Sequence, residues 1–392
     1  MKQHFTLAAL GLLTAASFSA QAQAPIVIDG KLTATEVVAS GYQLVGRETG
    51  PRGFGDAGLL AVYAAADATN LYFFVAGTLE TNPDLKNSIQ MFIDRPGVEG
   101  IPVGTALPVP AGVGTPPVNT SFEKMGAKLD LAADLALGLS GTGTANQGRV
   151  EAVVYSTGPN AANATVATGA TPLNITTGAP YTVPVTTTGT FAPFAGATVA
   201  YVTSPKLSEN PGFASNGNAP ANGFEIRVSR LAMGVPATGG AIRIFVLQNS
   251  QDGGFASSDF IPQATSPAGS NAPNLGPNPD FTAIAGTQAA TLNVTATGLS
   301  VVTSTQSAIA SALKFGVYPN PTAGAATVSY TVPGQQEVSV EVFNALGQRV
   351  RSLASGRQGG LQQQTLSDLA SGAYFVKLQV GGQSTSQKLI VQ

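Results

Sequence analysis

The chain has 392 residues, and charge is sparse: 19 are Lys or Arg, 21 are Asp or Glu, and the formal net charge is −2. No basic cluster is present that would neutralise a row of phosphates, so nucleic acid is excluded as an expected partner. There is no Cys or Trp and one histidine, His4, which rules out disulfides, Cys-His catalysis and zinc sites built from Cys.

Residues 1–22 have the pattern of a secretory signal peptide. Lys2 supplies the positive charge, "FTLAALGLLTAASF" is an apolar stretch of suitable length, and "AQA" (Ala20 to Ala22) has the small-x-small form of a cleavage site. Removal of this segment would also remove His4, which leaves no histidine for a Ser-His-Asp triad. We therefore expect an exported protein, and no other stretch approaches the ~20 apolar residues of a membrane span.

Short alternating segments separated by turns predict an all-β domain over residues 23–297. "LLAVYAAAD" and "LYFFVAGTLE" form a predicted hairpin, in which Leu71, Phe73 and Val75 share one face of the second strand. Further predicted strands are "NSIQMFIDRPG", "RVEAVVYSTG", "GFEIRVSRLAMG" and "AIRIFVLQNSQDGG". Strands at this spacing are typical of a β-sandwich of the jelly-roll type with long loops. The segment "GAKLDLAADLALGL" (126–139) fits either a helix or a strand after a turn.

Three regions interrupt the strand pattern. Residues 101–120 are rich in Pro and Gly and predict an extended loop. Residues around 156–198 carry no charge, consist mainly of Thr, Gly, Ala and Pro, and predict a long insertion with weak strands. Residues 298–311 are rich in Ser, Thr and Ala, and we predict a solvated linker there.

Residues 312–392 predict a second, small domain. It opens with "LKFGVYPNP", where Pro319 and Pro321 fix φ and Asn320 tolerates a bent conformation. "AATVSYTV", "QEVSVEVFN", "GQRVRSLA", "SGAYFVKLQVGG" and "STSQKLIVQ" follow as predicted strands joined by turns. Six or seven short strands in about 80 residues indicate an immunoglobulin-like sandwich in miniature.

This block resembles the type A C-terminal sorting domain of the type IX (Por) secretion system of Bacteroidetes. The resemblance rests on "YPNP", "VEVFNALGQRV", "LASGAYFVKL" and the terminal "KLIVQ", which occur in this order. The residues that match the sorting-signal motif are Tyr318, Pro319, Asn320, Pro321, Gly347, Gly372, Tyr374 and Lys388.

The resemblance implies a route of export. The signal peptide would carry the chain across the inner membrane, and the outer-membrane translocon would read the sorting domain. A sortase-like peptidase would then remove the domain by a cut in the linker, near Ser311. The protein would be released or attached to surface lipopolysaccharide, so we expect it outside the cell or on the cell surface.

A weaker resemblance covers residues 25–255. "IVIDGKLTATE", "AADATNLYFFVAG", "SIQMFID" and "NGFEIRVSRLAMG" look like the strands of DOMON-like sandwiches, which include the family 9 carbohydrate-binding modules. The chain departs from that pattern because Gln90 stands where an acidic residue is common, and because Trp, often the sugar-binding platform, is absent. The resemblance implies a large β-sandwich and, less strongly, a glycan ligand.

Two ligand classes have candidate residues in this first domain. Sugar binding needs an exposed aromatic face with polar groups beside it. The tyrosines that offer such a face are Tyr42, Tyr63, Tyr72, Tyr181 and Tyr201. Calcium needs several oxygen ligands, which loops and strand ends supply. The aspartates in such positions are Asp94, Asp252, Asp259 and Asp280.

An enzyme of this composition has to use carboxylates alone. Glycosidases need two carboxyl groups about 5–10 Å apart, and Asp94 with Glu225 is the first pair to inspect. No other catalytic motif is present, so we expect no enzyme and no resident cofactor. The expected function is a non-catalytic exported protein whose first domain binds glycan. The alternative is a structural or adhesive surface protein without a small ligand. A concave sheet face with two or three exposed aromatic residues would favour glycan binding, and an evenly Thr/Val-covered face would favour the structural role.

Overall fold

A computed structural model of the protein describes residues 25–48, 54, 58–81, 86–110, 120–155, 162–166, 172–185, 188–204, 219–263, 274–284, 286–303, 313–344, 348–381 and 383–392. The predicted signal peptide lies outside the described residues. Within them the chain is almost entirely antiparallel β-structure, which confirms the all-β prediction. No helix in these ranges is long and apolar enough to cross a membrane.

The strands, numbered in chain order, are β1 Lys31–Leu32, β2 Gln43–Arg47, β3 Leu59–Ala66, β4 Asn70–Gly77, β5 Asn87–Asp94, β6 Leu135–Gly141, β7 Gln147–Tyr155, β8 Ala162–Val166, β9 Leu173–Asn174, β10 Tyr181–Thr182, β11 Thr198–Tyr201, β12 Ala221–Ser229, β13 Gly240–Ser250, β14 Ala256–Ile261, β15 Ala290–Val294, β16 Leu299–Thr303, β17 Gly316–Tyr318, β18 Ala326–Asn344, β19 Arg349–Leu366, β20 Gly372–Val380 and β21 Gln383–Val391. One short helix, α1, spans Ala34–Val38, and single 3₁₀ turns span Ala192–Phe194 and Phe281–Ala283.

Strands β1–β16 form two large sheets, which together are called the N-terminal domain. The seven-stranded sheet has the order β10-β11-β12-β4-β3-β2, with β1 beside β12. The nine-stranded sheet has the order β16-β15-β13-β5-β6-β7-β8, with β14 beside β13 and β9 beside β7. The largest hydrophobic cluster joins residues of both sheets, including Phe73 and Val75 of β4 with Ile89 and Met91 of β5. The predicted inward face of β4 is therefore correct, and the two sheets pack as a sandwich.

The outer faces of both sheets are covered as well. On the seven-stranded sheet, Ile28, Leu32 and Tyr42 from the N-terminal segment pack against Tyr63 and Phe74. On the nine-stranded sheet, described residues of the segments 101–110, 120–133 and 274–284 pack over its aromatic residues. As a result, the four central strands β3, β4, β5 and β6 are buried along almost their whole length on both faces.

The segment 126–139 contains no helix. Its second part is β6, which pairs with β5 and β7, and its first part is an extended stretch in the outer covering layer. The apolar residues explain this outcome, since Leu129 and Leu131, and likewise Leu135 and Leu137, are two positions apart, which is the period of a strand. Ile101 and Leu107, in the predicted loop 101–120, are buried in the same layer.

The end of the N-terminal domain differs from the prediction. Residues 299–303, assigned to the linker from their Ser/Thr content, form β16 and pair with β15 along the edge of the nine-stranded sheet. The reason is apolar burial: Leu299 joins the main core and Val301 packs against it. The linker therefore cannot begin before residue 304, and residues 304–312 lie outside the described residues. The described parts of the insertion 156–198 form β8, β9 and β10 and the 3₁₀ turn at 192–194.

Strands β17–β21 form a separate five-stranded sheet, called the C-terminal domain, with the order β17-β18-β20-β21 and with β19 beside β18. We predicted six or seven strands, but "AATVSYTV" and "QEVSVEVFN" form one strand, β18, with a register shift between Val332 and Gln336. The first half of β18 pairs with β17 and the second half with β20. Along β20, alternate residues from Tyr374 to Val380 are buried and those between them are exposed, as predicted.

Candidate functional site

The turn after β17 and the last strand of the chain meet at one edge of the C-terminal domain. Asn320 is an exposed residue of the "YPNP" turn, yet its side chain forms two hydrogen bonds to β21. Its Nδ2 donates to the Lys388 carbonyl oxygen at 2.7 Å, and its Oδ1 accepts from the Ile390 N–H at 3.0 Å. The Asn320 carboxamide thus makes the same two kinds of hydrogen bond to β21 that the backbone of a neighbouring strand would make.

Thr322 extends this contact with its main chain. Its N–H donates to the Ile390 carbonyl at 2.9 Å, and its carbonyl accepts from the Gln392 N–H at 2.8 Å. These bonds are those of a short parallel bridge between Thr322 and Val391. β21 is therefore bonded to β20 along one edge and to residues 320–322 along the other, which protects an edge that would otherwise be open for pairing.

Gln387 makes the reverse contact, from β21 to the segment before the turn. Its Oε1 accepts from the Val317 N–H at 3.1 Å, and its Nε2 donates to the Phe315 carbonyl at 2.8 Å. No pattern in "STSQKLIVQ" distinguished Gln387 from its polar neighbours, because its role depends on a segment 70 residues earlier. We call Asn320, Thr322 and Gln387 the terminal-strand staple.

The remaining motif residues have separate positions. Gly372 begins β20, and the buried Tyr374 donates its hydroxyl hydrogen to the Ala370 carbonyl at 2.8 Å, a bond of the kind found at tyrosine corners. Lys388 contributes its carbonyl to the staple while its side chain is exposed. Tyr318, Pro319 and Pro321 are exposed. Gly347 lies outside the described residues.

Comparison with known families decides what this domain is. Residues 316–392 match the family model described as a secretion system C-terminal sorting domain. These residues are a type IX secretion sorting domain. The chain is therefore exported by the type IX system across the outer membrane, to the cell surface or the extracellular space, and the sorting domain interacts with that machinery.

Other comparisons add little. No curated protein matches the chain. The solved structures that match include dimeric latent PorU from Porphyromonas gingivalis, with 11% identity over 87% of this chain and 34% of that chain and a TM-score of 0.18. They also include the CupB2 chaperone of Pseudomonas aeruginosa, with 9% identity over 82% of this chain and 93% of that chain and a TM-score of 0.17. The BSP domain of a biofilm-associated protein has 6% identity over 93% of this chain and 52% of that chain, and a TM-score of 0.17. The chain spans about a third of the length of the PorU chain.

Outside the sorting domain, the predicted sugar-binding tyrosines do not form an exposed platform. Four of them, Tyr42, Tyr63, Tyr72 and Tyr201, are buried, and Tyr181 is half-buried. Their hydroxyl groups are used inside the fold; Tyr201, for example, accepts from the Leu79 N–H at 2.7 Å. Among the described aromatic residues of the N-terminal domain, only Phe255 is exposed, at 45%.

The four aspartates proposed for calcium each have a partner within the fold. Asp252 pairs with Lys124 at 2.7 Å and Asp280 with Lys128 at 3.1 Å, so each already has a cation beside it. Asp94 pairs with Arg243 at 3.6 Å, and Asp259 is buried and accepts from the Leu59 N–H. Within the described ranges, no group of three or more acidic or histidine side chains is arranged to hold a metal ion. Calcium binding stays a prediction.

Asp94 and Glu225 do not form an acid pair, since Asp94 ends β5 of one sheet and Glu225 lies in β12 of the other. Glu225 is fully buried, and its Oε2 accepts from the N–H groups of Asp29 and Gly30, both at 3.0 Å. Its Oε1 accepts from the Tyr42 hydroxyl at 2.9 Å. Burial raises the pKa of Glu225 to about 8, although these three hydrogen bonds act in the opposite direction.

The Glu225 carboxyl group joins two of the sequence motifs. "IDG" supplies the two N–H groups, and "GFEIRV" supplies the acid that accepts from them. Gly30 has a φ of +73°, and a Cβ there would lie 2.6 Å from the Val202 nitrogen, so no larger residue fits. The arrangement attaches the N-terminal segment to the seven-stranded sheet.

Proposed function

We propose that the N-terminal domain is a non-catalytic structural or adhesive module, delivered to the cell exterior by the sorting domain. One observation carries the proposal: both outer faces of its sandwich are covered, so the central strands present no open sheet face to a ligand. Ligand sites usually need a concave surface with a few convergent polar groups. The buried acids Glu225 and Glu151 are instead bonded to groups of the fold itself.

The glycan-binding alternative needs an exposed aromatic surface, and Phe255 is the available candidate among the described residues. The test is a glycan array probed with the purified mature protein, with a Phe255→Ser variant as control. If the domain is a structural or adhesive module, we expect the unmodified protein and the Phe255→Ser variant to give the same glycan-array result. A signal that the variant loses, while its thermal unfolding is unchanged, would replace this proposal by glycan binding.

We further propose that a sortase-like peptidase separates the two domains. β16 ends at Thr303 and the buried core of the sorting domain begins at Leu313, so a cut between them leaves both folds whole. The intact mass of the protein from medium and from washed outer membranes tests this. A product that ends between residues 303 and 313 is expected, and a ladder of added mass on the membrane form would indicate lipopolysaccharide attachment. A product that retains residues 313–392 would contradict the cleavage.

A further inference from the structure

The outer face of the sorting-domain sheet carries an exposed aromatic residue between two lysines. Phe375 of β20 is 43% exposed, and Phe343 of β18 lies directly opposite it on one side. Lys388 of β21 lies directly opposite on the other side, and Lys377 is two residues further along β20. Opposite residues in an antiparallel pair, and residues two apart in a strand, share one face. The four side chains therefore form one surface, called the Phe375 face.

The two lysines on this face form no ion pair within the described residues, although Glu341 lies opposite Lys377 and pairs with Arg349. Both lysine side chains are exposed. The nearby Arg349 differs, since it pairs with Glu341 at 2.5 Å. The whole domain also has an excess of positive charge, since residues 313–392 contain six Lys or Arg and three Asp or Glu. Residues 23–312 contain 12 Lys or Arg and 18 Asp or Glu. The sorting domain is basic although the protein it exports is acidic.

We propose that the Phe375 face is the surface by which the export machinery binds the sorting domain, and that its partner presents carboxylates around an apolar side chain. Exposed aromatic residues on an otherwise polar strand are typical of the centre of an interface. Flanking cations add electrostatic complementarity, which raises the rate and the specificity of association. The inference rests on the sorting domain being read by that machinery and names the face that is read.

Two other occupants fit the face less well. A second copy of the domain would place lysines against lysines, and like charges in contact are unfavourable. An anionic membrane usually needs a cluster of about 4–8 Lys or Arg, whereas this face has two lysines and also carries Glu341, opposite Lys377. A protein surface with carboxylates next to an apolar group satisfies both the lysines and Phe375.

Export of full-length variants from a host with a type IX system tests the proposal. Phe375→Ser and the double variant Lys377→Gln/Lys388→Gln remove the apolar and the charged part of the face. Leu361→Ser and Arg351→Gln/Arg357→Gln are matched controls, because they remove an exposed apolar residue and two exposed cations elsewhere in the same domain. We expect both face variants to reduce the exported fraction by about tenfold or more, as loss of an interface hot spot does, and both controls to be exported normally.

Three further measurements make the outcome decisive. Protease resistance of each purified variant must equal that of the unmodified protein, since a misfolded domain also fails to be exported. If the double variant is unstable, the single variant Lys388→Gln replaces it in the export experiment. Normal export of correctly folded face variants, or an equal loss in the arginine control, would overturn the proposal. Binding of the unmodified protein to vesicles of equal parts phosphatidylglycerol and phosphatidylcholine tests the membrane as the partner. Vesicle binding that the double lysine variant abolishes would also overturn the proposal.

Deletion of residues 313–392 tests the sorting role separately, because an exported deletion variant would refute that role and not only the choice of face.

Discussion

Asn320 and Gln387 make the same pair of hydrogen bonds in opposite directions. Each carboxamide accepts from one backbone N–H and donates to one backbone carbonyl, Asn320 on β21 and Gln387 on the segment of β17. The turn motif and the terminal motif of the sorting signal are thus parts of one contact. Both carboxamides therefore act in addition to the pairing of β21 with β20.

Loss of the Asn320 carboxamide should release the last strand locally. In Asn320→Ala the Ile390 N–H and the Lys388 carbonyl lose their partners, and each such hydrogen bond contributes about 0.5–1.5 kcal/mol. We expect faster amide hydrogen exchange in the peptide that covers residues 385–392, measured by mass spectrometry on the full chain. Local exchange is the appropriate readout because it reports the opening of the last strand separately from the rest of the chain.

The control for this experiment is Gln363→Ala. Gln363 is an exposed amide side chain on β19, so the substitution removes the same chemical group from the same domain. Amide hydrogen exchange in residues 385–392 of the Gln363→Ala variant should match that of the unmodified protein. Equal exchange in Asn320→Ala and the unmodified protein would show that β20 alone holds β21.

Gly30→Ala should destabilise the N-terminal domain strongly. The residue has a φ of +73°, and its new methyl group would lie within 2.9 Å of three backbone atoms of Tyr201 and Val202. Left-handed backbone at a non-glycine residue costs about 1–3 kcal/mol, and the contact with immovable backbone adds to it. The matched control is Gly97→Ala, since Gly97 has a φ of +74° and nothing within 4 Å of the Cβ position. Urea unfolding should show a clearly larger loss for Gly30→Ala, and equal losses would mean that the segment moves away from β11.

The buried Glu225 predicts a pH dependence of stability. Burial raises its pKa from 4.5 to about 8 in the folded protein, so between these values the unfolded chain releases a proton that the folded protein keeps. Stability should therefore fall as the pH rises from 4.5 to 8 and then level off. Glu225→Gln keeps the size and polarity of the side chain without the titration, and should reduce this slope. The slope does not vanish, because burial also raises the pKa of Glu151. Unfolding temperatures measured from pH 4.5 to 9 that fall equally in both proteins would contradict this role of Glu225.

The sequence predicted the strands well and the long-range contacts poorly. Alternation of apolar residues located β4, β5 and β20 because that pattern depends only on neighbours in the chain. It misplaced the start of the linker, since burial of Leu299 depends on a sheet edge formed elsewhere. The predicted tyrosines are buried for a similar reason: aromatic residues suit a sheet on either face, and only the covering segments decide which face reaches solvent. Asn320 was recognised as a turn residue, but its bonds to β21 require a partner 68 residues away.

Arg230 is a further residue whose contacts depend on distant parts of the chain. It is 2% exposed, and its guanidinium donates to the carbonyls of Asp67 at 2.8 Å, Ala296 at 3.1 Å and Pro236 at 2.8 Å, which joins three turns of the N-terminal domain.

Arg230→Met should remove the guanidinium donor from all three carbonyls, of which that of Pro236 keeps its hydrogen bond from the Gly239 N–H at 2.9 Å. We expect the free energy of unfolding to fall by about 3 kcal/mol. The control Arg227→Met removes a half-buried arginine with one hydrogen bond, to the Thr198 hydroxyl at 2.6 Å, and should cost about 1 kcal/mol. Urea unfolding of the mature protein distinguishes the two. A loss for Arg230→Met no larger than that of the control would mean that packing of the strands, and not the guanidinium, holds the three turns together.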